Sequence, residues 1–187
     1  MTTNQPMLPP IFVRTLGDYE ILVHGEPLHF ANRAPQRALQ LLAALVSQGR
    51  RSVSAGALAD LLWPDADGFD AQRALTTTLH RLRRMLGCPQ AVRLIAGQLS
   101  LDPRFCSVDV WEFESALRVA REPEEIVEAL ELYRGPFLGD DQSSWAIAAR
   151  RRICALASHA CAALDARKST ATQWYQSIGR MALAMAE

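Results

Sequence analysis

Short apolar runs open the chain. Ile11–Leu16 and Tyr19–Val23 are separated by Gly17-Asp18, and His24-Gly25-Glu26-Pro27 leads into a third run, Leu28–Phe30. Such runs with turn residues between them predict an N-terminal antiparallel meander. The period then changes. Over about Ala34–Ser47, Ala38, Leu41, Leu42 and Leu45 recur at helical spacing, with Gly49 as a C-cap. Ser54 is placed to cap a short second helix that buries Leu58, Leu61 and Leu62 and stops at Pro64. After the loop Pro64–Gly68, Asp67 caps a third helix running to about Leu86, with Asp70 as its capping-box acid and Gly87 as its end.

The third helix carries the most information. At 100° per residue, Leu75, Leu79, Leu82 and Leu86 form one apolar stripe. Arg73, Thr77, His80 and Arg84 occupy the opposite pole, Thr76 and Arg81 sit on the shoulders, and Arg83 falls at the core boundary. A solvated helix face ordinarily mixes both charge signs, whereas this one has arginine, threonine and histidine without glutamate. Those are side chains that grip phosphates and reach base edges. Beyond Gly87, Val92, Leu94, Leu99 and Leu101 alternate around Ala96-Gly97 as a β-hairpin. A helix-turn-helix followed by a hairpin is a winged helix, and with its leading sheet the pattern resembles the OmpR-type variety.

The remainder reads as helical. Asp109 and Glu112 have capping-box spacing for a helix to about Ala120. Pro123 suits the first position of the next helix, which runs to Tyr133 before Gly135-Pro136. A long helix from Trp145 to about Arg167, a break at Ser169–Thr170 and a last helix Thr172–Ala186 complete the chain. The pattern therefore divides the protein into a disordered tail (1–10), a winged-helix DNA-binding domain (11–104) and a helical domain (105–187). The fold class is mainly α with a small antiparallel β component.

Charge sharpens this division. The net charge is zero. However, residues 1–104 carry 11 arginines against 8 acids, and residues 105–187 carry 9 basic residues against 12 acids. Residues 70–93 hold five arginines and one acid, whereas 105–141 hold three arginines and ten acids. Opposite signs point to two surfaces, one of them suited to a polyanion. Hydrophobic residues at 49% in 187 residues suffice for a core. No apolar run reaches membrane-spanning length, and the polar, Pro-rich Met1–Pro10 lacks the form of a secretory signal. The chain reads as cytoplasmic.

Enzyme chemistry finds no footing. Lys168 is the only lysine and has no glycine-rich turn before it, which excludes a P-loop, and GxSxG, HExxH and GxGxxG are absent. His24, His29, His80 and His159 form no chelating pair, and His159 has the wrong helical spacing to share a zinc ion with Cys154 or Cys161. The reading is no enzyme, no cofactor and no metal. Cys88, Cys106, Cys154 and Cys161 contain no CxxC and read as small buried hydrophobes.

Trp63-Pro64-Asp65, the run Arg73 to Arg84 (RALTTTLHRLRR), Leu99-Ser100-Leu101-Asp102-Pro103 and Val108-Asp109-Val110-Trp111-Glu112-Phe113 together resemble SARP-type transcriptional regulators. Ala129 to Leu138 (ALELYRGPFL), Trp145 and Arg150-Arg151-Arg152 resemble their bacterial transcriptional activator domain. The likeness covers about residues 11–160. It implies an OmpR-like winged helix followed by a TPR-like activator domain, here short, with Trp174 at the aromatic position of a repeat. It also implies a sequence-specific regulator, an activator, bound to double-stranded DNA.

On this reading the third helix enters the major groove. Arg73, Thr76, Thr77, His80 and Arg81 are the base-edge candidates. Arg84 serves base or phosphate, and Arg83 and Arg93 serve phosphate. Arg50 and Arg51 read equally as phosphate contacts or as a solvated turn. The hairpin tip, Ala96-Gly97-Gln98, is uncharged. Pro64, Asp65 and Asp67 resemble the loop with which OmpR-type proteins meet RNA polymerase. The acidic helical half would serve a homodimer or another regulatory protein, with Met181, Leu183 and Met185 as contacts, or would pack intramolecularly. The alternative function is a protein-interaction module in which a degenerate winged helix no longer binds DNA.

Overall fold

The computed structural model describes residues 9–30 and 34–184, with side chains to Arg167. The expected tail therefore lies largely outside the described residues, as do Met185 and the side chains of Trp174, Met181 and Leu183. β1 (Ile11–Arg14) pairs antiparallel with β2 (Glu20–Val23), Ile11 opposite Val23. Ile11 and Val13 are buried while Phe12 and Arg14 are only half-buried, the alternation a one-faced sheet requires. The third strand is not Leu28–Phe30 but β3 (Glu26–Pro27), which pairs with Leu22 and Val23. His24 and Gly25 both adopt positive φ, 53° and 86°. The reversal thus takes two residues, and pairing resumes at once.

α1 (Gln36–Ser47) begins later than its spacing suggests, because Pro35 holds the N-cap and biases Ala34 away from helix. A short β4 (Val53–Ser54) precedes α2 (Ala55–Leu62), and the Ser54 side chain accepts from the Ala57 N–H as expected. Asp67 accepts from the Asp70 N–H at 2.8 Å and opens α3 (Gly68–Met85). The hairpin of β5 (Val92–Ile95) and β6 (Gln98–Leu101) turns at Ala96-Gly97 with φ of 49° and 73°, as a tight primed turn demands. β4 joins the hairpin, Val53 opposite Leu99, giving the strand order β4-β6-β5. Two residues are too short to show a period, so sequence could not announce this third strand.

β7 (Cys106–Val108) returns to the first sheet and lies parallel to β1, in the order β3-β2-β1-β7. The β component is thus mixed rather than purely antiparallel. α4 (Asp109–Val119), α5 (Pro123–Glu131) and α6 (Ser144–Ala184) follow. The expected break at Ser169–Thr170 does not occur: α6 is continuous. Serine and threonine cost a helix only tenths of a kcal/mol each, and residues 145–178 contain no glycine or proline. α5 stops at Glu131, two residues short of Tyr133, and is capped by a reciprocal box between Glu122 and Glu125. Cys106 is buried, and its thiol is pushed up to about 12 by burial. Cys154 and Cys161 are exposed, contrary to their reading as buried hydrophobes. Their shared face of α6 points away from the core.

One hydrophobic core runs through both halves of the chain. Leu41, Leu42 and Leu45 of α1, Leu58 of α2, Leu75 and Leu82 of α3 and Leu99 of β6 pack in the same cluster as Phe113, Phe137 and Trp145. Asp109 is not a capping-box partner of Glu112. β7 runs straight into α4, which leaves the Asp109 carboxylate at the helix start facing the end of β1. There it accepts from the Thr15 N–H (2.8 Å), the Thr15 hydroxyl (2.7 Å) and the Leu16 N–H (2.8 Å), all buried. The same end of β1 meets the loop after α5. Leu16 bridges Phe137, the Gly17 N–H donates to the Pro136 carbonyl at 3.1 Å, and the Leu138 N–H donates to the Thr15 carbonyl at 2.8 Å. Gly135 is needed there: a Cβ on it would lie 3.0 Å from the Gly17 Cα.

Two consequences can be measured. Asp109→Ala strands three buried donors and should destabilise the protein by about 3 kcal/mol or more, with a smaller loss for Asp109→Asn. Urea unfolding followed by circular dichroism reads both. Asp102, after β6, is held down at about 2 chiefly by the Arg104 side chain and also by the Arg104 N–H. A depressed carboxylate contributes stability above its unfolded pKa of about 4 and loses it as pH falls towards about 2. Arg104→Ala should make the acid limb of the stability curve shallower across that window. An unchanged limb would exclude the pair as its source.

Candidate nucleic-acid interface

α3 presents two chemically distinct faces. Ala71, Leu75, Thr78, Leu79, Leu82 and Leu86 are buried against α1 and α2. Arg73, Thr76, Thr77, His80, Arg81 and Arg84 are all exposed, and no acid occurs from Ala71 to Leu86. The face that periodicity assigns to solvent is therefore the face the fold leaves open. Within it, the Thr76 hydroxyl donates back to the Gln72 carbonyl at 2.9 Å, which leaves its lone pairs outward-facing acceptors. Arg73 lies 4.0 Å from the Asp70 carboxylate, an exposed pair of little worth against a phosphate. Arg81 and Arg84 line a cleft of about 580 Å³ with Leu28, His29, Phe30, Pro35 and Met85.

Two of the expected phosphate ligands have structural partners. Arg83 is half-buried, and its Nε and Nη2 donate to the Val92 carbonyl at 3.0 and 2.8 Å. It thereby ties the end of α3 to the first residue of the hairpin. Arg93 is half-exposed on β5 and sits 3.8 Å from Asp102, whose carboxylate Arg104 already grips at 2.7 Å. Arg93 is the looser of the two partners. The hairpin beyond it is apolar and exposed: Leu94 is 44% and Ile95 56% accessible.

The chain missed by periodicity is Phe69. It is 72% exposed on the first turn of α3. The Arg73 guanidinium lies over its ring at 5.8 Å, and Phe69, Gln72, Arg73, Thr76 and Thr77 line a shallow groove of about 330 Å³. The signal was present, since Phe69 projects about 120° from Leu75 and so cannot belong to the buried stripe. Between α2 and α3, Pro64, Asp65 and Asp67 are exposed. Arg37 lies over the Trp63 ring at 5.9 Å, fixing the start of that loop. Among the described residues, no group of His, Cys, Asp or Glu could hold a metal ion, and no helix is long and apolar enough to cross a membrane.

No curated protein matches the sequence. The fold is similar to that of Mycobacterium tuberculosis EmbR, solved in complex with a low affinity phosphopeptide, at a TM-score of 0.52 and 19% identity. That similarity covers 87% of this chain but only 44% of the other, so the chain spans less than half the length of the structure it resembles. Residues 32–98 match the family "Transcriptional regulatory protein, C terminal". The matched region, from α1 to the start of β6, is thus similar to the OmpR-type winged-helix domain found in transcriptional regulators.

Proposed function

We propose that this protein is a sequence-specific DNA-binding transcriptional activator of the SARP type, with α3 in the major groove. The observation that carries the reading is the outward face of α3 beyond Asp70, which has no acid from Ala71 to Leu86, is stocked with arginine, threonine and histidine, and is held outward by a buried leucine stripe. Arg73, Thr76, Thr77, His80 and Arg81 contact base edges, with Phe69 adding the apolar surface that suits a thymine methyl. Arg84 serves a phosphate or a base. Arg83 approaches phosphate with its remaining Nη1, and Arg93 does so after leaving Asp102. Pro64, Asp65 and Asp67 form the loop offered to RNA polymerase. Residues 105–187 form the TPR-like activator domain, which engages a second copy of the chain or another regulatory protein. The exposed Leu94 and Ile95 favour a second reading, in which the hairpin docks on protein and DNA is not bound.

Selection of genomic fragments with purified protein, followed by anisotropy titration across salt, decides between the two. About five phosphate contacts give a log–log slope near −4 to −5. A shared motif with that slope is expected, whereas no enrichment and no salt-sensitive binding would establish the docking surface instead. Arg84→Ala should weaken specific and random DNA alike and reduce the slope by about 1, while Thr77→Ala should relax specificity at one base pair by about 1–3 kcal/mol. Arg83→Ala has a different signature: it should cost about 1.5–3 kcal/mol of folding stability through the Val92 carbonyl. Arg81→Ala should stay within about 0.5 kcal/mol of the parent protein. Equal stability of the two variants would remove Arg83 from its structural role.

A further inference from the structure

A concave site of about 680 Å³ opens at the junction of the winged helix with the C-terminal helices, away from the α3 face. Its walls are the end of α1 and the following turn (Ser47 to Arg51), α4 (Trp111, Glu114, Ser115, Arg118) and Arg152 of α6. No residue of α3 or of the hairpin lines it. Four arginines therefore converge on one cavity whose lining has one carboxylate, Glu114, while Glu112, just outside the lining, is close enough to act electrostatically on Arg50 without forming a salt bridge. Glu114 is already paired with Arg152, whose second terminal nitrogen donates to the Ser47 carbonyl. Arg50, Arg51 and Arg118 are exposed, and none forms a salt bridge among the described residues. The remaining lining, Gln48, Gly49 and Ser115, is small or uncharged.

Concentrating like charges in a concavity is unfavourable unless an anion relieves it. Arginine forks suit phosphate oxygens in particular. The volume falls in the range of small-molecule sites rather than that of a single ion. The register of the hairpin sheet bears on whether DNA supplies the phosphate. Val53 pairs with Leu99, Ser54 with Gln98, and the Ala55 N–H reaches the Gly97 carbonyl, so the chain advances towards the hairpin tip through these residues. Arg50 and Arg51 precede them and lie at the base of the hairpin sheet, the end remote from the tip.

We infer that this junction cavity binds a small molecule carrying two or more phosphate groups, held by Arg50, Arg51 and Arg118, with Arg152 as a fixed wall. Such a ligand touches α1, α4 and α6 at once. It would brace the C-terminal helices against the winged helix without occupying the DNA face.

The test uses the full chain, with inorganic pyrophosphate as the probe in isothermal titration and thermal unfolding, and sulfate at matched ionic strength as the control. Saturable one-to-one binding of pyrophosphate, with a rise in Tm that sulfate does not give, is expected. Arg50→Ala and Arg118→Ala should each weaken it about tenfold. Arg118→Lys should recover part of the loss, and Arg84→Ala should leave it unchanged. Equal Tm shifts from sulfate and pyrophosphate, or equal weakening by Arg84→Ala, would overturn the site. A DNA titration separates the two phosphate sources. The double variant Arg50→Ala/Arg51→Ala should keep the parent's salt slope, and a slope reduced by about 2 would make these arginines DNA contacts and sink the proposal. Because pyrophosphate binding is read without DNA, it stands or falls separately from the proposed function.

Discussion

Asp109 places a buried carboxylate against the Thr15 and Leu16 N–H groups and the Thr15 hydroxyl. These donors sit at the end of β1, and the acceptor sits at the start of α4. The bond therefore joins the leading sheet to the first C-terminal helix across more than ninety residues of sequence. Buried donors of this kind cost free energy unless they are met, and here one side chain meets three. The parallel pairing of β1 with β7 and the contacts of Gly17 with Gly135 and Pro136 extend the same join. Trp111 adds a further tie, donating its indole N–H to the Val46 carbonyl at the end of α1. Residues on the two sides of position 104 thus share a single hydrophobic cluster.

That join has consequences for the α3 face. A recognition surface acts through rigid placement of a few side chains, and the rigidity comes from what packs behind them. α3 is held by its leucine stripe against α1 and α2, at its end by Arg83 on the Val92 carbonyl, and through α1 by Trp111. The helix bearing the arginines and the C-terminal α6 thus both pack on α1. The arginine-lined junction cavity lies on that line of contact, between α1, α4 and α6.

Much of this was legible in the sequence. The leucine stripe of α3, the Ser54 and Asp67 caps and the Ala96-Gly97 turn follow from local rules, and each formed where those rules placed it. The exposed face of α3 was equally legible, because a helix that buries one stripe must expose the other. The expected strand at Leu28–Phe30 failed because the His24-Gly25 turn is tighter than composition reveals. The expected break at Ser169–Thr170 failed because neither residue stops a helix that lacks glycine and proline.

What remained was a matter of distant partners. The sequence by itself determined the three helices of the winged helix and its hairpin, the stripe on α3 and the charge contrast between the halves, since these depend largely on neighbours within a turn or two. Only the tertiary structure decided that Asp109 serves Thr15 and Leu16 rather than its own helix, and that Arg83 is committed to a carbonyl while Arg81 and Arg84 are not. Nor could one-dimensional periodicity show that Arg50, Arg118 and Arg152, drawn from three segments, line one cavity. Hydrogen bonds and charge clusters are set by distances in space, and a helical or strand period carries no information about which remote residue will stand within three ångströms.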